Sequence, residues 1–205
     1  MMKEADKIVQ DSMGPASGMA KASGLAKPLT PRRIVLTGFM GSGKSTVGPL
    51  LGQRLGWRFV DVDDVIEAEA GCTIAELFAR HGEGAFRDVE HATIARLATG
   101  EELVLALGGG AMEREETRRL LLSQPLTLLT HLEVSLATTL LRCRGTENTR
   151  PILADQTNLA VRYVRRLPFY RTAHVTIPVD ALTPAEVVEE VIKTANLGGE
   201  AGRRS

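Results

Sequence analysis

Residues suited to binding a polyphosphate occur close together in the first quarter of the chain. From Gly38 to Ser45 the sequence reads GFMGSGKS, which matches the pattern G-x-x-x-x-G-K-[ST]. Glycines in such a loop let successive backbone N–H groups point inward at phosphate oxygens. The Lys44 ammonium can reach the β- and γ-phosphates of a nucleotide, and the Ser45 hydroxyl can bind Mg²⁺. This stretch is therefore a candidate nucleotide site.

The residues on either side of this loop predict the elements that hold it. A short apolar run, Ile-Val-Leu at residues 34–36, precedes the loop and is typical of a buried strand. After the loop, apolar residues recur at helical spacing, at Val47, Leu50, Leu51 and Leu55. The alternative is a glycine-rich turn without a ligand, and this strand–loop–helix context disfavours it. The helix N-terminus would add N–H groups and a positive dipole end to the phosphate site.

Three carboxylates lie at the end of the next predicted strand, residues 58–62. Asp61, Asp63 and Asp64 follow one another there, and ligands of open α/β sheets sit beyond the carboxyl ends of strands. Asp61 and Asp63 are candidates for binding a metal or a substrate hydroxyl, because the adjacent phosphate loop needs an acidic partner for Mg²⁺. The alternative is that they are solvated or cap a helix over residues 65–70. Asp64 suits that alternative best.

A second glycine-rich turn follows a predicted central strand. The unbroken apolar run at residues 103–107 is typical of a parallel strand buried on both faces. It leads directly into Gly108, Gly109 and Gly110, whose backbone N–H groups could approach a small ligand closely. A flexible turn without a ligand is the alternative, and the position at a strand's carboxyl end favours the ligand.

Arginines mark two further segments. Arg87 and Glu90 lie three residues apart on a helix predicted over residues 84–97, where the simplest interpretation is a surface ion pair. The loop over residues 142–151 is dense in arginine. Such a loop is either solvated or a mobile lid that brings cations to a phosphate.

Strands and helices alternate along the chain, which predicts an α/β fold with a mainly parallel sheet covered by helices on both faces. Residues 1–31 lack periodicity and are predicted to be a disordered extension, residues 32–197 a single domain, and residues 198–205 a frayed tail. The net charge of +0 provides no global field for nucleic acid or an anionic membrane. No apolar run is long enough to span a bilayer. Cys72 and Cys143 form no disulfide framework, which suits a reducing compartment.

Taken together, these separated motifs resemble those of the shikimate kinases. The resemblance covers residues 33–193 approximately and rests on six matches in order. They are GFMGSGKSTVG at 38–48, Asp61 and Asp63 with Ile66-Glu67, Phe86-Arg87 with Glu90, Gly108–Gly110, Arg150-Pro151, and Arg166 to Tyr170. The resemblance implies a P-loop NTPase of the nucleoside monophosphate kinase type. Its five-stranded parallel sheet would be flanked by helices and would carry a mobile lid at about residues 142–153. It also implies ATP-dependent phosphorylation of the 3-hydroxyl of shikimate.

The resemblance further implies a role for each matching residue. The phosphates of ATP would be bound by Gly41, Ser42, Gly43, Lys44, Ser45, Thr46 and Arg150. Mg²⁺ would be held by Ser45 and Asp61. Shikimate would be bound by Asp63, Arg87, Gly108, Gly109, Gly110 and Arg166. Lys44, Asp63 and Arg150 would be the catalytic residues, with Arg150 reaching the transferring phosphoryl group from the lid.

The sequence leaves alternatives for the adenine contact and for the function. Either Arg142 or Arg144 would cover the adenine, and the expected adenine loop near residues 179–184 is short and lacks arginine. One alternative is another small-molecule P-loop kinase, such as a gluconate kinase. A second is a catalytically inactive binding or regulatory relative, which would have lost Lys44, Asp63 or Arg150; all three are present. The family resemblance also predicts a cytoplasmic monomer whose partners are shikimate and ATP, without nucleic acid or membrane.

Overall fold

A computed structural model of the chain describes residues 21–22, 30–143 and 156–198. The described residues form one sheet of six strands: β1 (Lys21–Ala22), β2 (Arg33–Thr37), β3 (Arg58–Asp61), β4 (Leu103–Ala106), β5 (Thr127–Glu133) and β6 (Val175–Pro178). Their order across the sheet is β1-β6-β5-β2-β4-β3. Strands β2 to β6 are parallel to one another, so the predicted five-stranded parallel sheet is confirmed.

Strand β1 lies within the segment that the sequence predicted to be disordered. Its two residues pair antiparallel with β6, Lys21 opposite Thr176 and Ala22 opposite Val175. At these two residues the predicted disordered extension is wrong. The physical reason is that β6 is the last parallel strand of the sheet, and its outer edge presents backbone groups that a short segment can pair with. The other residues up to 29 lie outside the described part of the chain.

Seven α-helices connect and cover the described strands. They are α1 (Lys44–Leu55), α2 (Val62–Ala70), α3 (Ile74–Leu97), α4 (Glu115–Ser123), α5 (Leu136–Arg142), α6 (Gln156–Tyr170) and α7 (Pro184–Thr194). A short 3₁₀ turn, Ala111–Glu113, precedes α4. Thr73 and Thr183 form the capping boxes that their sequences predict. Helix α3 is kinked at Gly82, where φ is 79° and ψ is 170°.

The sheet places the predicted functional residues beyond the carboxyl ends of its strands. Central strands β2 and β4 are fully buried, as their uninterrupted apolar runs predict. Leu36 of β2 and Asp61 of β3 both pair with Ala106 of β4, so these three strands end side by side. The loops that follow them therefore meet beyond the carboxyl ends of the strands.

Close packing of α1 fixes the phosphate loop against the sheet. A Cβ atom on Gly52 would lie 2.9 Å from the carbonyl oxygen of Trp57, and one on Gly48 would overlap the ring of Phe59. These glycines let α1 approach β3 closely enough to hold the loop and the aspartates side by side. Within the described ranges, every helix is too short or too polar to cross a bilayer.

Candidate active site

A cavity of about 780 Å³ opens beyond the carboxyl ends of the strands. It gathers most of the residues that the sequence singled out. Those lining it are residues 41–46 of the phosphate loop, Asp61, Asp63, Gly108, Gly109 and Arg166. Parts of the chain more than 100 residues apart are thus combined in one pocket. Such a pocket with convergent polar groups is the usual form of a small-molecule site.

The phosphate loop has the backbone geometry that its glycines predict. Gly41 has φ 76° and Gly43 has φ 93°, conformations that side chains disfavour. Gly43 is also the N-cap of α1 and offers no side chain to the first-turn N–H groups. The Lys44 ammonium lies over the loop and donates to the carbonyl oxygens of Gly38 at 2.7 Å and Phe39 at 3.3 Å. The loop thus combines a helix N-terminus and a cation, as phosphate binding requires.

The aspartates lie at the first turn of α2, which begins earlier than the sequence predicted. Asp61 is its N-cap and accepts a hydrogen bond from the Asp63 N–H at 3.0 Å. The expectation of a helix from residue 65 capped by Asp64 is therefore wrong. Val62 is fully buried under the sheet, and this packing continues the helix back to Asp61. Asp64 is exposed and also lines the cavity described above.

Burial changes the acidity of both site aspartates. It raises the pKa of Asp61. Burial, together with the charges of Asp61 and Glu90, raises the pKa of Asp63 to about 6. Asp63 also lies close to the second glycine turn, since a Cβ on Gly108 would be 2.6 Å from its Oδ1 atom. Gly108 is therefore required at this position, and Asp63 faces the cavity as a carboxylate that can accept a proton near neutral pH.

Ser45 and Asp61 line the same cavity, and a hydroxyl and a carboxylate are groups that would fit Mg²⁺. Mg²⁺ is usually held by one or two carboxylates, several waters and the substrate phosphates, and protein cages of many ligands are uncommon. Among the described residues no cluster of three or more His, Cys, Asp or Glu side chains is placed to hold a metal ion. A hydroxyl and one carboxylate beside a phosphate loop match the Mg²⁺ pattern.

Arg87 is built into the site from one side of the glycine turn. It donates to the Glu90 carboxylate at 2.7 Å and also contacts Glu83 at 3.2 Å. Its guanidinium lies over the Phe86 ring and directly against Gly110, where a Cβ would collide with it. The simple interpretation of Arg87 and Glu90 as a surface pair is wrong, because Glu90 is only 2% exposed. Arg87 and Gly110 are not among the residues that line the cavity, although the Arg87 guanidinium lies against the glycine turn at Gly110.

Arg166 approaches the same turn from α6. It is 6% exposed, and its Nη1 atom would lie 3.5 Å from a Cβ on Gly109. Its Nε donates to Glu113 at 2.7 Å. The hydroxyl of Tyr170, one turn further along α6, donates to the carbonyl oxygen of Gly109. The sequence motifs include Tyr170 without indicating its role, and they do not point to Glu113, a carboxylate three residues after the glycines.

Arg142 closes the opposite side of the cavity. It donates to the carbonyl oxygens of Gly41 at 3.1 Å and Val179 at 2.9 Å. It therefore bridges the phosphate loop and the segment after β6, which is where the sequence predicted the adenine contact. Arg144, Arg150 and the rest of the predicted lid up to residue 153 lie outside the described residues, and their proposed contacts stay predictions.

The segment after β6 forms an apolar wall of the cavity. The side chains of Val179, Leu182, Pro184 and Val187 line it. Asp180 anchors this wall by accepting the Ser135 N–H at 3.0 Å. This segment lacks arginine, and its apolar side chains suit a nucleotide base.

The chain is similar in sequence and in fold to known proteins of one family. The family profile described as shikimate kinase matches residues 40–196. A shikimate kinase from Bradyrhizobium diazoefficiens is 44% identical over 177 residues, covering 84% of each chain. A solved structure of a shikimate kinase from Acinetobacter baumannii, in complex with shikimate, superposes with a TM-score of 0.75. It is 31% identical and covers 83% of this chain and 96% of that one.

A gluconokinase from Sinorhizobium meliloti also superposes, with a TM-score of 0.52 and 21% identity, covering 83% of this chain and 94% of that one. That likeness shows the shared fold alone. The family profile spans most of the chain, and the Bradyrhizobium relative is far more similar in sequence than the gluconokinase. The chain therefore belongs to the shikimate kinase family.

Proposed function

We propose that this chain transfers the γ-phosphoryl group of ATP to the 3-hydroxyl of shikimate, giving shikimate 3-phosphate and ADP. This reaction is a step in the formation of chorismate and the aromatic amino acids. The observation that carries the proposal is that Asp63, Gly109 and Arg166 line one cavity with the phosphate loop. An acceptor hydroxyl held there would lie beside the phosphates of a bound nucleotide.

ATP would bind between the phosphate loop and the wall after β6. Residues 41–46 would bind the phosphates through backbone N–H groups, and Lys44 would leave its two loop carbonyls to neutralise the transferring group. The apolar wall and Arg142 would hold the base. Mg²⁺ bound at Ser45 and Asp61 would neutralise charge on the β- and γ-phosphates. Arg150 is proposed from the sequence alone as a further cation for the transferring group.

Shikimate would bind across the glycine turn. Its carboxylate would meet Arg166 and Arg87, because a guanidinium fork matches a carboxylate with two parallel hydrogen bonds. Backbone groups of residues 108–110 would contact the ring hydroxyls closely, since larger residues would collide with Asp63 and Arg87 there. Asp63 would accept a hydrogen bond from the 3-hydroxyl, orient its oxygen towards ATP and take its proton.

The experiment that tests this function is shikimate-dependent release of ADP from Mg·ATP by the purified protein. Shikimate, gluconate and no acceptor are compared at equal concentration. We expect turnover with shikimate alone, and phosphate appearing on one hydroxyl of the product by phosphorus NMR. Turnover with gluconate instead would mean that the Arg87 and Arg166 site binds a different acid. In that case the proposed substrate would be wrong.

Replacing Arg87 with alanine is expected to raise the KM for shikimate by about 10- to 100-fold, with a smaller change in kcat. The variant loses a charged hydrogen-bond donor to the substrate carboxylate, which typically contributes about 1.5–3 kcal/mol. Initial rates over a range of shikimate concentrations would measure it. Arg80→Ala is the matched control, because Arg80 lies on the same helix in an exposed pair with Glu76. An unchanged KM in Arg87→Ala would remove Arg87 from the carboxylate site.

The pH dependence of kcat/KM for shikimate should follow the ionisation of Asp63. Its carboxylate must be ionised to accept the proton of the hydroxyl, and its pKa lies at about 6. We therefore expect kcat/KM for shikimate to be level above about pH 7 and to fall towards tenfold per pH unit below about pH 6. His131 does not titrate in this window, because burial lowers its pKa to about 3. A level profile down to pH 5 would contradict the role of Asp63 as proton acceptor.

We further propose that residues 32–197 work as a single kinase domain in a cytoplasmic monomer. The support is the family resemblance and one sheet that includes every described strand. Sedimentation equilibrium at micromolar concentration tests the monomer, and a dimer would contradict it.

A further inference from the structure

We propose that Glu113 is a positioning residue that orients the Arg166 guanidinium for the carboxylate of the substrate. The inference rests on the proposed function, which places that carboxylate on Arg166. Glu113 does not line the cavity, and as an anion it would not bind the substrate carboxylate directly. It would act through Arg166, by fixing which of the guanidinium nitrogens face the glycine turn.

The contacts of Arg166 define this orientation. Its Nε atom donates to Oε1 of Glu113 at 2.7 Å, while its Nη1 atom lies on the side of Gly109. The Tyr170 hydroxyl lies on the same side of the turn, 3.9 Å from a Cβ on Gly109. The Nε side of the fork is thus occupied by a protein carboxylate, and Nη1 lies beside Gly109, which lines the cavity. A second carboxylate arriving there meets donors that are already aimed at it.

Backbone contacts hold Glu113 in the position from which it orients Arg166. Its N–H donates to the carbonyl oxygen of Gly110 at 2.9 Å, which closes the 3₁₀ turn directly after the glycines. Its own carbonyl oxygen accepts from Arg118 at 2.8 Å, and the Arg118 guanidinium lies 4.5 Å from the centre of the Phe169 ring on α6. The turn that carries Glu113 therefore contacts the helix that carries Arg166 in two ways: through the ion pair itself and through Arg118.

Burial makes the interaction of Glu113 with Arg166 stronger than a surface ion pair. The side chain of Arg166 is 7% exposed and that of Glu113 is 20% exposed. Glu113 also pairs with Arg165 at 2.7 Å, but that partner is 58% exposed and screened by solvent. Without Glu113, the buried Arg166 would keep its charge and lose its main anchor, so binding would have to order a free side chain.

Removing Glu113 could change the KM for shikimate in either direction, depending on which of two effects is larger. A carboxylate near an anionic substrate repels it, so removing Glu113 would lower the KM for shikimate if repulsion dominated. If orientation of Arg166 dominates, removing Glu113 raises the KM. We expect orientation to dominate, because the Arg166 charge lies between Glu113 and the cavity and screens the repulsion.

The test compares Glu113→Ala and Glu113→Gln with Glu115→Gln in the full chain. Glu113→Ala is expected to raise the KM for shikimate by about five- to tenfold, with little change in kcat or in the KM for ATP. Glu113→Gln is expected to fall between Glu113→Ala and the unsubstituted protein, since its amide oxygen still accepts from Nε. Glu115→Gln is the matched control, because Glu115 pairs with Arg119 on the surface two residues away. It should leave every constant unchanged.

A second measurement separates positioning from a merely structural role. With the methyl ester of shikimate, which has no carboxylate charge, the ratio of kcat/KM between the unsubstituted protein and Glu113→Ala should fall towards one. A KM for shikimate that is unchanged or lower in Glu113→Ala would overturn the proposal. An equal loss with shikimate and its ester would overturn it as well. Failure of the proposed function looks different, because the unsubstituted protein would then show no shikimate-dependent ADP release.

Discussion

Replacing Lys44 with alanine is expected to lower kcat for shikimate phosphorylation by about 10³-fold or more. Phosphoryl transfer depends mainly on positioning and on neutralising the charge of the transferring group. Removing one preorganised donor from such a site typically costs about 10²- to 10³-fold, and Lys44 supplies a full charge in addition. The Lys44 ammonium is held at the loop by the Gly38 and Phe39 carbonyls, so it is already placed where the phosphates would bind.

Steady-state ADP release and a chemical quench of a single turnover would measure this loss. Lys193→Ala is the matched control, because Lys193 is 79% exposed on α7 and pairs with Glu190 far from the phosphate loop. The fold of Lys44→Ala should be intact by circular dichroism, since the Lys44 ammonium donates to loop carbonyls and Lys44 is not a member of the buried apolar core. Turnover close to that of the unsubstituted protein would contradict the assignment of this loop to the nucleotide phosphates.

Replacing Asp63 with asparagine is expected to lower turnover by about 10²- to 10⁴-fold while the protein becomes more stable. The rate falls because an amide cannot take the proton of the acceptor hydroxyl, and a general base typically contributes that factor. The nucleotide should still bind, because Asp63 is not placed among the phosphate or metal contacts. Loss of ATP binding in this variant would mean that Asp63 acts on the metal instead.

The stability change follows from the pKa of Asp63. Its folded pKa of about 6 lies above the ordinary value of 3.8, so the folded protein binds more protons than the unfolded chain between these values. Stability from this group is therefore full below about pH 4 and is lost as the pH rises through about 6. At pH 7.5 the ionised carboxylate destabilises the fold, and asparagine removes that cost. Allowing for partial solvent screening, we expect the free energy of unfolding to increase by about 1–2 kcal/mol.

Urea unfolding of both proteins at pH 7.5 and at pH 4.5 would measure this effect. The gain should be larger at pH 7.5 than at pH 4.5, where Asp63 is protonated in the folded protein and mostly ionised in the unfolded chain. Asp64→Asn is the matched control, because Asp64 is the adjacent exposed carboxylate on the same helix turn. A destabilised Asp63→Asn at pH 7.5 would mean that Asp63 stabilises the fold as an anion. In that case burial would not raise the pKa of Asp63.

The sequence predicted those features of the protein that depend on local chemistry. The phosphate loop and its helix followed from glycine positions and from the apolar spacing after Lys44. The buried strand before Gly108 followed from an unbroken apolar run, and both threonine capping boxes followed from residues three apart. In each of these cases the interacting groups lie within a few residues of one another, so the pattern itself contains the interaction. Family resemblance added the residues that would bind shikimate.

Only the tertiary structure decided how those residues are supported. Glu113 and Arg166 are 53 positions apart, and Arg142 meets Gly41 across 101 positions. No local pattern encodes such pairs, because sheet order and helix packing determine which loops meet. The helix start at Asp61 and the burial of Glu90 were missed for the same reason: the burial of Val62 and Glu90 depends on distant parts of the chain. The sequence by itself thus determined which chemical groups the site contains. The packing of α2, α3 and α6 on one sheet edge determined their orientation and acidity.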